Sequence, residues 1–251
     1  MCHQTRDLQL SHLVGRAMYK LCRGTGPGNQ DPYVLDVDGY RQTSFQVKDY
    51  VLCRECEQRF SRNGEAYVTP LVTQSDDKFP LLKILNAISP TVKTSSSALY
   101  SAAVTPTIDR MKLAYFAISV FWRASVHKWR DVDGTLISID LGRKYNEEIR
   151  QYLLGHAPVP RNARLGVVVC KDETSQHMFY MPTKHNQKSN TSPVGLTVRG
   201  MTFLFRITNT PRRVTNKFSM INSKDEVIIL ENRCKGTVWN SSGFDVGAKT
   251  R

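Results

Sequence analysis

Apolar residues follow two different periods along the chain, and the change falls near residue 156. Before it the spacing is mainly that of helices, and after it apolar residues recur at every second position. Residues 108–129 carry apolar side chains at helical spacing, which predicts a buried core helix with Thr107 as its N-cap. Residues 142–155 predict a second helix that ends at Gly155, because glycine tolerates the left-handed conformation of a helix end.

The second period predicts β-strands in the C-terminal part of the chain. Four stretches have strand length and strand patterning: RLGVVVC (164–170), HMFYMP (177–182), LTVRGMTFLFRIT (196–208) and EVIILE (226–231). Together they predict a small β-rich region after residue 156.

The N-terminal part predicts shorter elements. Residues 33–47 alternate around an Asp-Gly dipeptide, which indicates a hairpin. A helix is expected from about Arg54 to Tyr67. Short helical pieces are expected around 79–88, within a connector that prolines interrupt.

Two cysteines, Cys53 and Cys56, open the expected helix in the stretch VLCRECEQRFSRNGEAYV (51–68). A C-x-x-C pair at a helix start presents two thiolates to one ion, because the helix N-terminus favours negatively charged sulfur. A structural zinc ion typically has four ligands, and Cys2 is the leading candidate for the third. A redox role for the pair is the alternative, although no thioredoxin-like βαβ pattern surrounds it.

The order of these residues resembles the HNH endonucleases of the ββα-metal, treble-clef type, and more closely a bacterial branch of that family. That branch carries C-x-x-C, then Ser-His, then LCxxCE followed by Ser and Glu. The matching residues are Cys2, SHL (11–13), Gln46, LCRECEQRFS (52–61) and Glu65. The tract FAISVFWRAS (116–125) is a weaker match to the next segment of such proteins.

The resemblance implies an α+β fold in four parts. Residues 1–70 would form a zinc-bound treble-clef (ββα-metal-like) module, followed by a connector over 71–106. A helical segment over 107–155 and a small basic β-rich region over 156–251 would complete the chain.

The resemblance also implies roles for named residues. His12 would act as general base on a water, and Glu57 would bind a catalytic Mg²⁺ or Mn²⁺ ion. Gln46 stands nearest to the family's middle asparagine, and Glu65 would complete the shell of the ion or orient His12. Arg123 is expected to pair structurally with an acid.

A structural zinc is the second implied cofactor, with Cys2, Cys53 and Cys56 as its ligands. The fourth ligand stays open between His3, Cys22 and a residue upstream of Met1, and a zinc ion held by three cysteines alone is a further alternative. The cysteines outside the motif lie in or near apolar segments, where cysteine serves as a small buried hydrophobe.

The charge of the chain indicates what kind of partner the protein binds. The 251 residues carry a formal net charge of +13. Residues 156–251 hold fifteen lysines and arginines against six acids, a net of +9. A basic surface attracts phosphate backbones, so this region is expected to supply most contacts with nucleic acid. The predicted contact residues are Arg206, Arg212, Arg213 and Lys217.

Several classes of protein are excluded by the same pattern. The longest apolar run, around residues 113–122, is too short to span a bilayer, and no signal peptide opens the chain. No phosphate-cradling loop or dinucleotide fingerprint is present. A cytoplasmic protein is therefore expected, in which six cysteines are thiols or metal ligands rather than a disulfide framework.

The sequence favours a metal-dependent HNH-like endonuclease, a hydrolase that acts on DNA, foreign DNA included. Two alternatives from other classes stay open. One is a catalytically inactive, zinc-stabilised nucleic-acid-binding protein, and the other is a protein-interaction subunit whose basic region binds an acidic partner.

Overall fold

The computed structural model describes residues 1–2, 7–23, 27–28, 30–36, 39–73, 79–172, 178–184, 193–208 and 219–231. The elements of the N-terminal part are β1 (Leu8–His12), α1 (Arg16–Leu21), β2 (Tyr33–Asp36), β3 (Gly39–Gln42), β4 (Lys48–Cys53), α2 (Arg54–Phe60), a π-helical turn (Ser61–Glu65), α3 (Ala66–Val72) and α4 (Pro80–Asn86). The later elements are β5 (Val92–Lys93), β6 (Ser97–Tyr100), a 3₁₀ turn (Ala102–Val104), α5 (Arg110–Val126), β7 (Trp129–Arg130), β8 (Leu136–Ile137), α6 (Arg143–Leu154), β9 (Ala163–Cys170), β10 (Met178–Lys184), β11 (Val194–Val198), β12 (Met201–Ile207) and β13 (Ile228–Glu231).

Within the described residues, nine strands form one mixed sheet in the order β3-β2-β10-β11-β12-β9-β13-β6-β5. Two neighbouring pairs are parallel, β2 with β10 and β9 with β13, and the others are antiparallel. Every residue of β9 is buried, as expected for a strand of continuous apolar character in the middle of a large sheet.

Helix α5 lies against this sheet and is buried along almost its whole length. Phe116 packs against Phe203 and Phe121 stacks on Phe205, with ring centroids 5.7 and 5.4 Å apart, so the helix is fixed on β12. The helix begins after Asp109, whose carboxylate accepts a hydrogen bond from the backbone of Lys112. The predicted cap at Thr107 was therefore wrong by two residues.

A second, two-stranded antiparallel sheet is formed by β1 and β4, and we call it the ribbon. Ser11 is buried beneath it, and its hydroxyl accepts a hydrogen bond from the backbone of Leu52. Helix α1 comes after β1 in the chain and is joined to the large sheet by Tyr19, whose ring stacks on Phe179 of β10 at 4.7 Å. The ribbon is thus held against the main body of the protein.

The architecture overturns the predicted fold class. The chain is mixed α/β around one large sheet, and it is not an N-terminal treble-clef module followed by helices and a small β-rich region. Strands β2 and β3 explain the error, because they come from the proposed module yet extend the sheet of the C-terminal part through β10. Local spacing suggested a hairpin there, but it gave no indication of its distant partner.

Other local predictions agree more closely with the structure. Helix α6 ends at Gly155, which has a φ of 79°, as predicted. The stretch 196–208 contains a tight turn at Arg199 and Gly200, both at positive φ, so it forms two hairpin strands. Cys170 is disulfide-bonded, whereas the sequence predicted that the cysteines are thiols or metal ligands.

Within the described part of the chain, the helices all lack either the length or the apolar character needed to cross a membrane.

Candidate functional site

Three cysteine sulfurs meet where β4 passes into α2. The Sγ atoms of Cys2 and Cys53 are 3.4 Å apart, and those of Cys2, Cys53 and Cys56 all lie within 4.8 Å of one another. Tetrahedral zinc with Zn–S bonds of about 2.3 Å would separate its sulfurs by about 3.8 Å. The spacing and the soft donor set therefore fit zinc.

The environment of the cluster raises the pKa of one of its thiols, that of Cys56. Cys53 and Cys56 are buried, and Cys2 is half-buried. Burial, and hydrogen bonds with the thiols of Cys2 and Cys53, raise the pKa of Cys56 to about 12. Of the other ligands considered, His3 lies outside the described residues, and Cys22 does not belong to this group of sulfurs.

His12 is the last residue of β1, at the far end of the ribbon from Cys53. Leu8 pairs with Cys53 and His12 pairs with Lys48, so the two sites are separated by about 13 Å of strand. The Nε2 atom of His12 is 3.0 Å from Oε1 of Gln46. Donation from Nε2 to the amide oxygen leaves Nδ1 with the lone pair of a neutral imidazole.

Five influences act on the pKa of His12. Burial is the largest and lowers its pKa below the ordinary value of 6.5, whereas the hydrogen bond to Gln46 raises it. The positive charge of Lys48 lowers the pKa further, Glu57 raises it, and Arg16 lowers it. The balance is downward, and a lowered pKa favours the neutral ring, which is the state that a general base requires.

Glu57 lies in the first turn of α2 and is half-buried. Its Oε1 atom is fully buried and has no hydrogen-bond partner among the described residues. A buried carboxylate oxygen without a donor is costly, so this atom is suited to accept a cation or a proton donor. Its electrostatic effect on His12 shows that the two side chains are near each other.

Glu65 contacts His12 indirectly, through Arg123 of α5. The Arg123 guanidinium donates one hydrogen bond to Oε1 of Glu65 at 3.1 Å and another to the backbone oxygen of His12 at 2.7 Å. Arg123 is almost completely buried, with 1% of its surface exposed, and it also lies over the ring of Phe60. Of the two roles considered for Glu65, this arrangement favours the orienting one.

Gly15 provides the space that Glu65 occupies. A Cβ atom on Gly15 would lie 2.7 Å from the carboxylate carbon of Glu65, which is too close for any real contact. A side chain at position 15 would therefore force the Glu65 carboxylate to move from its present position beside Arg123. Sequence reasoning missed this contact, because 50 residues separate the two positions.

Of the four residues predicted to contact nucleic acid, the structure describes only one, Arg206. Arg206 is half-buried near the end of β12, opposite Arg164 of β9. Arg212, Arg213 and Lys217 lie outside the described residues. Lys48 and Arg16, which the sequence did not single out, are the cations that act on His12.

No protein-family model, no curated protein and no solved structure matches this chain. The function must therefore be inferred from the geometry of the site.

Proposed function

We propose that this protein is a metal-dependent, HNH-like endonuclease that hydrolyses DNA. The observation that carries the proposal is the His12 ring, held by Gln46 near Glu57, whose buried Oε1 atom has no hydrogen-bond partner among the described residues. Metal-assisted attack of water on a phosphodiester needs at least a positioned base and, near it, an anionic ligand for the metal ion.

Each residue has a defined task in this proposal. His12 takes a proton from the attacking water through Nδ1, while Gln46 fixes the ring through Nε2. Glu57 would hold the divalent ion, Mg²⁺ or Mn²⁺, which when bound stabilises the charge of the phosphate and the leaving oxygen. Glu65 acts through Arg123, which holds the backbone of His12 in place.

Zinc has a separate, structural task in the proposal. Cys2, Cys53 and Cys56 would hold it at the junction of β4 and α2, where it fixes the start of the helix that carries Glu57. The free thiols of Cys2, Cys53 and Cys56 favour a cytoplasmic location, where such cysteines stay reduced, whereas the disulfide of Cys170 favours an oxidising one.

Cleavage of supercoiled plasmid DNA tests the nuclease. Wild-type protein is expected to nick the plasmid when Mg²⁺ or Mn²⁺ is added, and His12→Ala is expected to lower the rate by about 100-fold or more, because the general base is lost. The matched control is His156→Ala, since His156 is an exposed histidine whose ring bonds to Gln151.

The control variant is expected to cleave at the wild-type rate, and His12→Ala is expected to keep its circular dichroism spectrum and zinc content. Cleavage that survives in His12→Ala, or wild-type protein that cleaves nothing with either ion, would contradict the proposal. Salt-sensitive DNA binding without cleavage would favour the inactive binding protein instead.

A further inference from the structure

The ribbon presents one exposed face next to the candidate site. Leu10 pairs with Tyr50, and His12 pairs with Lys48. Side chains of directly opposite residues, and of alternate residues along a strand, lie on the same face. We call this surface, formed by Leu10, His12, Lys48 and Tyr50, the ribbon face.

The ribbon face exposes two large apolar side chains to solvent. Tyr50 is 63% exposed and Leu10 is 44% exposed. The opposite side of the ribbon buries Ser11 and also Leu52, because a β-bulge between Tyr50 and Leu52 shifts the register and turns Leu52 to the side of Ser11. Two adjacent exposed apolar side chains form a small platform on this surface, and one of them carries an aromatic ring.

Positive charge lies beside this platform. Lys48 and Arg16 are exposed, and both are close enough to His12 to lower its pKa. Within the described residues, neither takes part in an ion pair. The adjacent acid, Asp49, is engaged by His127 at 2.9 Å, so it does not neutralise Lys48 directly.

We propose that the ribbon face binds an unpaired nucleotide of a DNA strand, with the base stacked on Tyr50 beside Leu10 and the flanking phosphates held by Lys48 and Arg16. The inference rests on the proposed function, because it takes DNA as the substrate. It adds that the substrate is single-stranded, or locally unpaired, where it meets His12.

The size and charge of the face favour a nucleotide over a protein. A stable protein interface buries about 800 Å² on each partner, and two apolar side chains provide only a small part of that area. An aromatic ring flanked by cations is the combination that binds single-stranded nucleic acid, because every base has a face that can stack.

Fluorescence anisotropy with a labelled single-stranded 20-mer and its duplex tests this inference. The full-length chain is titrated without added Mg²⁺ or Mn²⁺, so that the oligonucleotides stay intact. Tyr50→Ala is expected to weaken binding of the single strand by about fivefold or more, through loss of stacking, and to change duplex binding by less than about twofold. Tyr50→Phe is expected to keep the affinity.

Tyr33→Ala is the matched control, because Tyr33 is 39% exposed on β2 of the large sheet. It is expected to leave both affinities unchanged. Lys48→Gln with Arg16→Gln is expected to reduce the salt slope for the single strand by roughly one to two, which corresponds to two phosphate contacts.

Three outcomes overturn the inference. They are unchanged single-strand affinity in Tyr50→Ala, equal losses on single strand and duplex, and a wild-type chain that binds no DNA, which would leave the face to a protein partner. Plasmid cleavage by the wild-type chain together with either of the first two outcomes refutes this inference alone and keeps the nuclease. Tyr50-dependent binding without any cleavage refutes the nuclease and keeps the binding face.

Discussion

Replacing Cys53 with serine is expected to remove the zinc and to cost the protein much of its stability. Wild-type protein purified without chelator should contain about one zinc ion per chain, held by the sulfurs of Cys2, Cys53 and Cys56. Isolated zinc modules gain about 10 kcal/mol or more from their ion. A loss of only about 3 kcal/mol here would lower the melting temperature by roughly 10 °C.

The physical reason is the place of the cluster. Cys53 ends β4 and Cys56 lies in the first turn of α2, and both are buried. Without an ion, serine leaves a buried hydroxyl at this junction, and the helix start loses its connection to the N-terminus of the chain.

Metal analysis by mass spectrometry and thermal unfolding followed by circular dichroism check this expectation. Cys22→Ser is the control, because Cys22 is also a buried free thiol but lies outside the cluster. It should retain the zinc even if its stability falls. Wild-type protein without zinc, or Cys53→Ser with a full complement of zinc, would refute the structural metal.

Removing the buried cation at position 123 is expected to have the second large effect. Arg123→Met would leave the backbone oxygen of His12 and the carboxylate of Glu65 without their donor. Breaking a buried ion pair from one side typically costs about 3–5 kcal/mol. Because 22% of the Glu65 side chain is exposed, we expect the lower end of that range, about 3 kcal/mol.

Urea unfolding of Arg123→Met and Arg130→Met measures this difference. Arg130 is exposed and donates a hydrogen bond to the backbone of Gly134, so its replacement should change the free energy of unfolding by less than about 0.5 kcal/mol. Equal midpoints for the two variants would show that the Arg123 contacts contribute little to stability. A double-mutant cycle with Glu65→Gln would isolate the term that belongs to the pair.

Local patterning was enough to predict several elements of this fold. Apolar spacing in the stretches that became α5 and α6 predicted both helices, because a buried helix face repeats within a few residues. The left-handed Gly155 was also predicted, since the helix stop is encoded by one residue. The apolar runs of β9 and β13 predicted strands for the same reason.

The assembly of the sheet was beyond that kind of prediction. The parallel pairing of β2 with β10 joins segments that lie more than 100 residues apart, and no local period encodes it. The predicted module over residues 1–70 required the hairpin of residues 33–47 to pack within that module rather than to join a distant sheet. Strand partners are chosen by the burial of whole faces, which the fold as a whole determines.

The candidate site shows the same division. The spacing of Cys53 and Cys56, together with the resemblance, pointed to a cluster with Cys2, and the structure brings these three sulfurs together. The resemblance also pointed to His12 and Gln46, whose side chains are in contact elsewhere on the ribbon. The Gly15–Glu65 contact and the cationic flank of His12 were not found. Both depend on how α1 and the ribbon pack, which a one-dimensional pattern does not contain.

The order of strands in the large sheet has a consequence for synthesis on the ribosome. β13 lies between β9 and β6, and through it β5 and β6 join the rest of the sheet. β6 leaves the ribosome long before residues 228–231 do, at about 5–20 residues per second. For on the order of ten seconds, the nascent chain therefore lacks the strand that closes this part of the sheet, and an open strand edge is a site where another chain can pair and aggregate.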